Sequence, residues 1–199
     1  MIGGLILAGG EGSRFGPESK LVQDLAGRPL LEHAVTAMCA VPELERIVVV
    51  LGAQAELVRA RVHFDRAEPL VCEHWSRGMS ETLRFGVQAL GGPGRVVVTL
   101  GDSPTVTASV VKRFVSAPPG SRATYAGRPG HPAVLGPIQI ERLGSVTGDT
   151  GARALLDGPA IECSDLCSGL DVDTPADLKR IRDAWTASAV SGGGSRPRH

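Results

Sequence analysis

The chain has 199 residues, 42% of them hydrophobic and 21% charged, a size and balance that suit one globular domain and exclude disordered, collagen-like or coiled-coil classes. Its 21 basic and 21 acidic residues cancel, which argues against a general nucleic-acid binder, since such a protein needs an electropositive face to displace counterions. No apolar run approaches the ~20 residues that cross a bilayer, and no basic region precedes the first apolar run, so neither a membrane span nor a cleaved signal peptide is expected.

In chain order, residues 2–7, 46–51 and 95–100 form short β-branched or leucine-rich runs bounded by glycine. Continuous apolar runs of this kind suit strands covered on both faces. Between and after them, residues 29–40, 79–90 and 108–115 repeat apolar side chains at three and four, as helices do. Pro29 suits a first helical turn, and Ser80 is placed to cap its helix. Strands alternating with helices imply right-handed crossovers and a mostly parallel sheet, a doubly wound α/β fold. Residues 123–125 and 132–135 read as edge strands around a turn-prone GRPGHP. Asp173-Thr174-Pro175 reads as a cap followed by Pro at the first position of a last helix over 175–185. From Ser188 the sequence SGGGSRPRH is too polar and glycine-rich to pack. Residues 1–187 are therefore expected to be one domain, and 188–199 a flexible tail. Cys39, Cys72, Cys163 and Cys167 show no paired CxxC spacing and are expected to be reduced thiols in a cytoplasmic protein.

The segment LILAGGEGSRFGPESKL carries the strongest functional signal. Gly9, Gly10 and Gly12 leave three positions without side chains at the end of a parallel strand, where α/β folds hold ligands. Backbone amides freed of Cβ atoms can approach phosphate oxygens, and Arg14 and Lys20 add a guanidinium fork and a point charge. The dinucleotide fingerprint fails here. Gly10, Gly12 and Gly16 are spaced G-x-G-x-x-x-G, Pro17 follows, and the next strand ends at Leu51-Gly52 without an acid. The Walker spacing fails as well.

Two acidic motifs complete the pattern. Asp102 in VVVTLGDSP follows an apolar strand and a glycine, so its carboxylate should emerge on the same rim as the glycine loop. LDVDTPADL supplies Asp171 and Asp173 before the last helix. Mg2+ takes hard oxygens, usually one or two carboxylates with substrate phosphates and water, and Asp102 with Asp173 would fit. The plainer alternative makes Asp102 a turn residue and Asp173 a helix cap. Met79, Leu83 and Val87 read as core, Glu81 and Arg84 as solvated helix charges, Asp177 as a first-turn charge favoured by the helix dipole, and His33 as a helix-surface residue.

LAGGEGSRFGPESKL resembles the L-A-[AG]-G-x-G-x-R-[FM]-G…K signature of nucleotidyltransferases, closest to the molybdenum-cofactor members of the MobA-like NTP transferases. GMSETLRFGV, LGDSP, GHP, GDTGAR and DVDTPADL extend the resemblance over nearly the whole chain. It implies a three-layer Rossmann-like fold with a mostly parallel sheet, and transfer of NMP from an NTP to the phosphate of a molybdopterin-type small-molecule acceptor, with Mg2+ as cofactor. It implies nucleotide contacts from Leu7, Ala8, Gly9, Gly10, Gly12, Ser13, Arg14, Lys20, Gly78 and Ser80. Arg14, Lys20 and Asp102 become catalytic, Asp102 and Asp173 the metal ligands with Asp171 a possible third, and His131, Gly148 and Asp149 the acceptor side, with Gly151 in the same loop. Within the family, L-A-G-G goes with guanylyl transfer and L-A-A-G with cytidylyl transfer; this chain has Gly9, yet its other motifs look like the cytidylyl branch, so CTP is favoured over GTP. Other readings stay open: a nucleotide-binding accessory factor for a molybdenum enzyme, with little turnover; an oxidoreductase, which the missing dinucleotide fingerprint disfavours; and a sugar-phosphate nucleotidyltransferase, disfavoured because 199 residues leave little room for an added sugar domain. No nucleic-acid or membrane partner is expected.

Overall fold

The computed structural model describes residues 1–191 apart from Ser13, Pro17 and Gly151. In chain order the elements are β1 (Ile2–Ala8), β2 (Asp24–Leu25), β3 (Arg28–Pro29), α1 (Leu30–Cys39), β4 (Arg46–Leu51), α2 (Ala55–Arg61), β5 (Glu68–Val71), α3 (Met79–Ala89), β6 (Arg95–Leu100), α4 (Ala108–Val115), β7 (Arg122–Tyr125), β8 (Arg128–Leu135), α5 (Pro137–Arg142), β9 (Ala160–Glu162) and α6 (Pro175–Ser191). Seven strands form one sheet in the order β5-β4-β1-β6-β8-β7-β9. β1 pairs in parallel with β4 and β6, and β4 with β5; β8 runs antiparallel to both β6 and β7, while β7 and β9 are parallel. β2 and β3 form a separate two-residue ladder. The mostly parallel α/β architecture expected from the sequence is what the chain adopts.

Alternation along the central strands sorts side chains into two cores. Ile6, Ile47, Val49 and Val97 point to one face, under α1 and α4 through Leu31, Met38, Val110 and Phe114. Leu5, Val48, Val50, Val96 and Val98 point to the other, under α3 through Leu83, Val87 and Leu90. Side chains successive along a strand serve opposite faces, so a run such as IVVVL, residues 47–51, is apolar throughout. Each fully buried Leu, Ile or Val contributes about 1.5–3 kcal/mol, which makes these two layers the main source of stability. α3 lies close on the sheet because it carries Gly86, where a Cβ would meet Leu5 Cδ1 at 2.4 Å.

A third cluster, Leu25, Leu30, Val172, Leu178 and Ile181 with Phe15 and Trp185, seats α6 against the β2–β3 hairpin. α6 runs on to Ser191, beyond the Trp185 end expected from periodicity. Of the expected tail, residues 192–199 lie outside the described residues.

Several local expectations are corrected. Pro29 precedes α1 with extended ψ of 142° and does not occupy its first turn. His33 is buried: its Nε2 bonds Leu25 O at 2.9 Å and its Nδ1 faces an Arg28 guanidinium nitrogen at 3.1 Å. The hairpin supplies both partners, which helical periodicity alone does not reveal. The stretch 128–131, read as part of a turn, is the first half of β8, because β7 offers it an antiparallel partner from Tyr125 backwards.

The crossover order sets the position of the site. From β1 the chain winds outward through β4 to β5, then returns under α3 to β6 on the other side of β1. Strand order reverses at β1/β6, and the carboxyl ends of such strands open a crevice.

Candidate active site

A cleft of about 630 Å³ lies at that crevice, within the range of small-molecule sites. Leu7, Ala8, Gly9, Gly10, Gly12, Arg14, Lys20, Gly78, Asp102, Asp149, Asp171 and Asp173 all line it. Ser13 and Gly151 lie outside the described residues. Ser80, His131 and Gly148 are not part of its lining.

Residues far apart in sequence meet through backbone pairing. Gly101 N donates to Leu7 O at 2.9 Å, so the glycine just after β6 sits beside the end of β1; Val172 N donates to Asp102 O at 2.9 Å, laying the 170–173 segment along the loop after β6. Asp102 and Asp173 then share one cation. Lys20 Nζ lies 2.5 Å from Asp102 Oδ2, 3.3 Å from Asp173 Oδ1 and 2.8 Å from Val172 O. Arg14 Nη2 approaches Asp173 Oδ1 at 3.3 Å from solvent, its side chain 74% exposed against 14% for Lys20. Lys20 is therefore the built-in cation, and Arg14 is open to an incoming ligand.

The carboxylates suit a divalent metal. Asp102 Oδ1 is buried without a hydrogen-bond partner among the described residues, and Asp102 Oδ2 and Asp173 Oδ1 converge on the Lys20 ammonium as they would on another cation. No cluster of three or more His, Cys, Asp or Glu side chains able to hold a metal occurs among the described residues, so the protein offers a pair, the donor number Mg2+ and Mn2+ take when substrate phosphates complete the shell. Asp171 accepts a short hydrogen bond from Ser103 Oγ. Desolvation, with repulsion from Asp102 and Asp173, pushes its carboxyl up to about 6 against the Ser103 hydrogen bond and Lys20.

Asp173 does not cap α6. Thr174 and Asp177 do so reciprocally: Thr174 N donates to Asp177 Oδ2 at 2.9 Å and Asp177 N to Thr174 Oγ1 at 3.2 Å, a capping box. That arrangement releases the Asp173 carboxylate for Lys20 and Arg14.

At the other wall, Ser80 does not cap α3. It is buried and donates to Gly148 O at 2.6 Å, while Asp149 Oδ1 accepts from Met79 N at 3.2 Å. The 148–149 loop thus covers the helix start, and Gly78 (φ 105°) is required twice over, since a Cβ there would lie 2.7 Å from Gly148 C. Arg84 and Glu81 are not solvated charges either. They pair at 2.6 Å, and Arg84 Nη2 donates to Val146 O at 2.9 Å, pinning the approach to that loop.

His131 sits within β8, where Tyr125 Oη donates to its carbonyl at 2.7 Å. Its Nδ1 is buried without a partner among the described residues. Burial lowers its pKa to about 4, Asp102 opposing and Arg153 assisting, so the imidazole is neutral near pH 7.

Glu11, Ser19, Leu21, Trp75, Ser76, Thr82, Leu100 and Arg153 also line the cleft, all but Arg153 without a motif signal of their own, and Met79, which helical periodicity assigns to the core, is 37% exposed and lines it too. Arg153 lay within the quoted GDTGAR motif and was legible as a cation beside glycines.

Residues 4–164 match the MobA-like NTP transferase domain. The chain belongs to that family. Within and around it, nicotine blue oxidoreductase of Paenarthrobacter nicotinovorans is 34% identical over 194 residues, covering 89% of this chain and 95% of the relative. The bifunctional protein GlmU of Ruegeria sp. is 37% identical over 116 residues, 57% of this chain but only 26% of the relative. Among solved structures, Rv0371c of Mycobacterium tuberculosis superposes with a TM-score of 0.79 at 26% identity, covering 92% of this chain and 97% of that one. The same mycobacterial protein has also been solved in complex with manganese, where the TM-score is 0.75 at 23% identity, with 92% and 98% coverage. The MobA-like fold is thus shared along almost the full chain, and among the described residues no helix is long and apolar enough to cross a membrane.

Proposed function

We propose that residues 1–187 act as one magnesium-dependent nucleotidyltransferase domain that moves NMP from an NTP, CTP in preference to GTP, to the phosphate of a molybdopterin-type acceptor. The observation that carries this is the convergence of Arg14, Lys20, Asp102 and Asp173 beside Gly9, Gly10 and Gly12 in one cleft. An acceptor phosphate oxygen attacks the α-phosphorus, the bond to the β-phosphate oxygen breaks, and pyrophosphate leaves with both electrons of that bond. The acceptor is already an anionic nucleophile at neutral pH, so the protein contributes alignment and charge compensation. Asp102 and Asp173 are the residues that would hold the divalent ion, which when bound lowers repulsion between the reacting phosphates. Arg14 reaches the triphosphate from solvent, and the glycine-loop amides approach its oxygens without steric hindrance. The base and ribose sit against the glycine loop and the Gly78–Met79 start of α3, both of which line the cleft. On the acceptor side Asp149 lines the cleft, and His131 and Gly148 would act from outside its lining. A molybdenum enzyme as recipient and a cytoplasmic setting belong to the same reading, the latter in keeping with four free cysteines.

Gly9 does not by itself argue for guanine. A Cβ there would lie 2.9 Å from Thr82 Cγ2, so packing against α3 is reason enough for glycine. That leaves the cytidylyl-like motifs to favour CTP.

The test is magnesium-dependent pyrophosphate release with each of the four NTPs and a molybdopterin acceptor. CTP should give the fastest release, and Asp102→Ala should abolish it in a protein with an unchanged circular dichroism spectrum. Full turnover by that variant would end the proposal, and use of GTP alone would overturn the CTP preference. A second reading, oxidoreduction, draws on the nicotine blue oxidoreductase that the chain matches over 95% of its length; redox turnover measured in parallel, without pyrophosphate release, would support it instead.

A further inference from the structure

We infer that Lys20 serves as the resident counter-cation of the Asp102–Asp173 pair, and that a divalent ion gains those carboxylates only as Lys20 leaves them. This rests on reading Asp102 and Asp173 as the metal carboxylates. An ammonium has three donors, and all three find oxygens here: Asp102 Oδ2, Asp173 Oδ1 and Val172 O. The side chain is 14% exposed, so little solvent competes for it. Mg2+ binds oxygen at about 2.0–2.1 Å, so a divalent ion shared by Asp102 Oδ2 and Asp173 Oδ1 would have to sit between these two oxygens, where the Lys20 ammonium now lies.

The displaced Lys20 has a destination. It lines the same cleft as the glycine loop, where nucleotide phosphates bring new anionic partners. Asp171 is occupied by Ser103 Oγ, and Asp149 by Met79 N. Lys20 thereby couples two binding events: the divalent ion frees it for phosphate, and phosphate draws it from the carboxylates. An ion arriving alone must break the ammonium contacts without that compensation.

The proposal is tested without turnover, by titrating Mn2+ alone into the protein and following the free-ion electron paramagnetic resonance signal. Lys20→Met should bind Mn2+ at least about tenfold more tightly than the wild type, because the carboxylates it leaves unpaired favour a cation strongly. Asp102→Asn should remove the site in both backgrounds. Equal or weaker Mn2+ binding by Lys20→Met overturns the exchange while leaving the nucleotidyl-transfer reading intact; binding unaffected by Asp102→Asn overturns the metal site itself. A second measurement uses the unaltered protein. The chain has three lysines, Lys20, Lys112 and Lys179, and the last two are 71% and 77% exposed. Acetylation mapped by mass spectrometry should show Lys20 protected in the metal-free protein and several-fold more reactive at saturating Mn2+, with Lys112 and Lys179 unchanged. A Lys20 rate that stays constant or falls with Mn2+ overturns the proposal.

Discussion

Gly9 and Gly10 are adjacent glycines with opposite reasons to be glycine. Nothing lies within 4 Å of a Cβ built on Gly10, whereas the same atom on Gly9 meets Thr82 Cγ2 at 2.9 Å. Thr82 has little freedom to yield, since it is buried and its hydroxyl donates to Met79 O at 2.9 Å. Gly9→Ala should therefore cost about 1–3 kcal/mol through overpacking, and Gly9→Ala with Thr82→Ser should recover most of it, a non-additivity readable from urea midpoints of the four proteins. Equal losses in the single and double variants would show that Thr82 is not the obstacle. His131 gives a pH signature of its own. Its folded pKa, about 4, is below the ordinary 6.5, so between those values the unfolded chain binds more protons and stability falls as pH falls. Above 6.5 the contribution is fully present; by pH 4 the loss approaches ~3 kcal/mol at most. Denaturant midpoints from pH 7 to 4.5 should slope downward in the wild type and flatten in His131→Gln.

Among the elements, α6 decides where Asp173 points. Its start is fixed by the reciprocal Thr174–Asp177 bonds, to which Asp173 N adds a donor at 3.3 Å from Asp177 Oδ2, and its body is held by Leu178 and Ile181 against Leu25, Leu30 and Val172. The hydrogen bond from Thr174 holds the Asp177 carboxyl below the usual carboxylate range, in keeping with a helix-start acid that stays ionised. Asp177→Ala should lower stability by about 1 kcal/mol, the usual value of a lost cap, and it should weaken Mn2+ binding several-fold because Asp173 loses its fixed approach. Asp177→Asn, which keeps an acceptor, should retain most of both. Melting temperature and Mn2+ titration together check this; a stability loss with unchanged metal affinity would mean that cluster packing alone orients Asp173. α3 shows the complementary arrangement, a helix start covered by residues 148 and 149 from a remote loop, with Arg84 tying the same region at Val146.

At the scale of the molecule, the sheet was legible wherever both strand faces are buried. Runs such as RVVVTL cannot alternate with polar residues, so β1, β4 and β6 stand out, and the rim they share follows from their order. Tertiary pairing hid the rest. GRPGHP carries turn chemistry and becomes strand only because β7 pairs with it at Arg128 and Pro129, β6 joining β8 further on at Ala133–Leu135. Met79 fits a helical stripe, but its position at the helix start places it over the cleft. Asp102 and Asp173 were readable as a pair from their flanking elements, yet Lys20 between them was readable only as a phosphate-binding cation. Its bridging position gives the whole protein a linkage property. Any ligand that binds only the native state raises the melting temperature by mass action, and coupling between two ligands is reciprocal. CTP and Mg2+ added together should raise the melting temperature by more than the sum of their separate effects, and in Lys20→Met the excess should shrink toward what Mg2+ chelation by CTP itself produces. Additive shifts in the wild type, or an excess of equal size in the variant, would mean that Lys20 does not carry the coupling and that nucleotide and metal meet in the cleft independently of it.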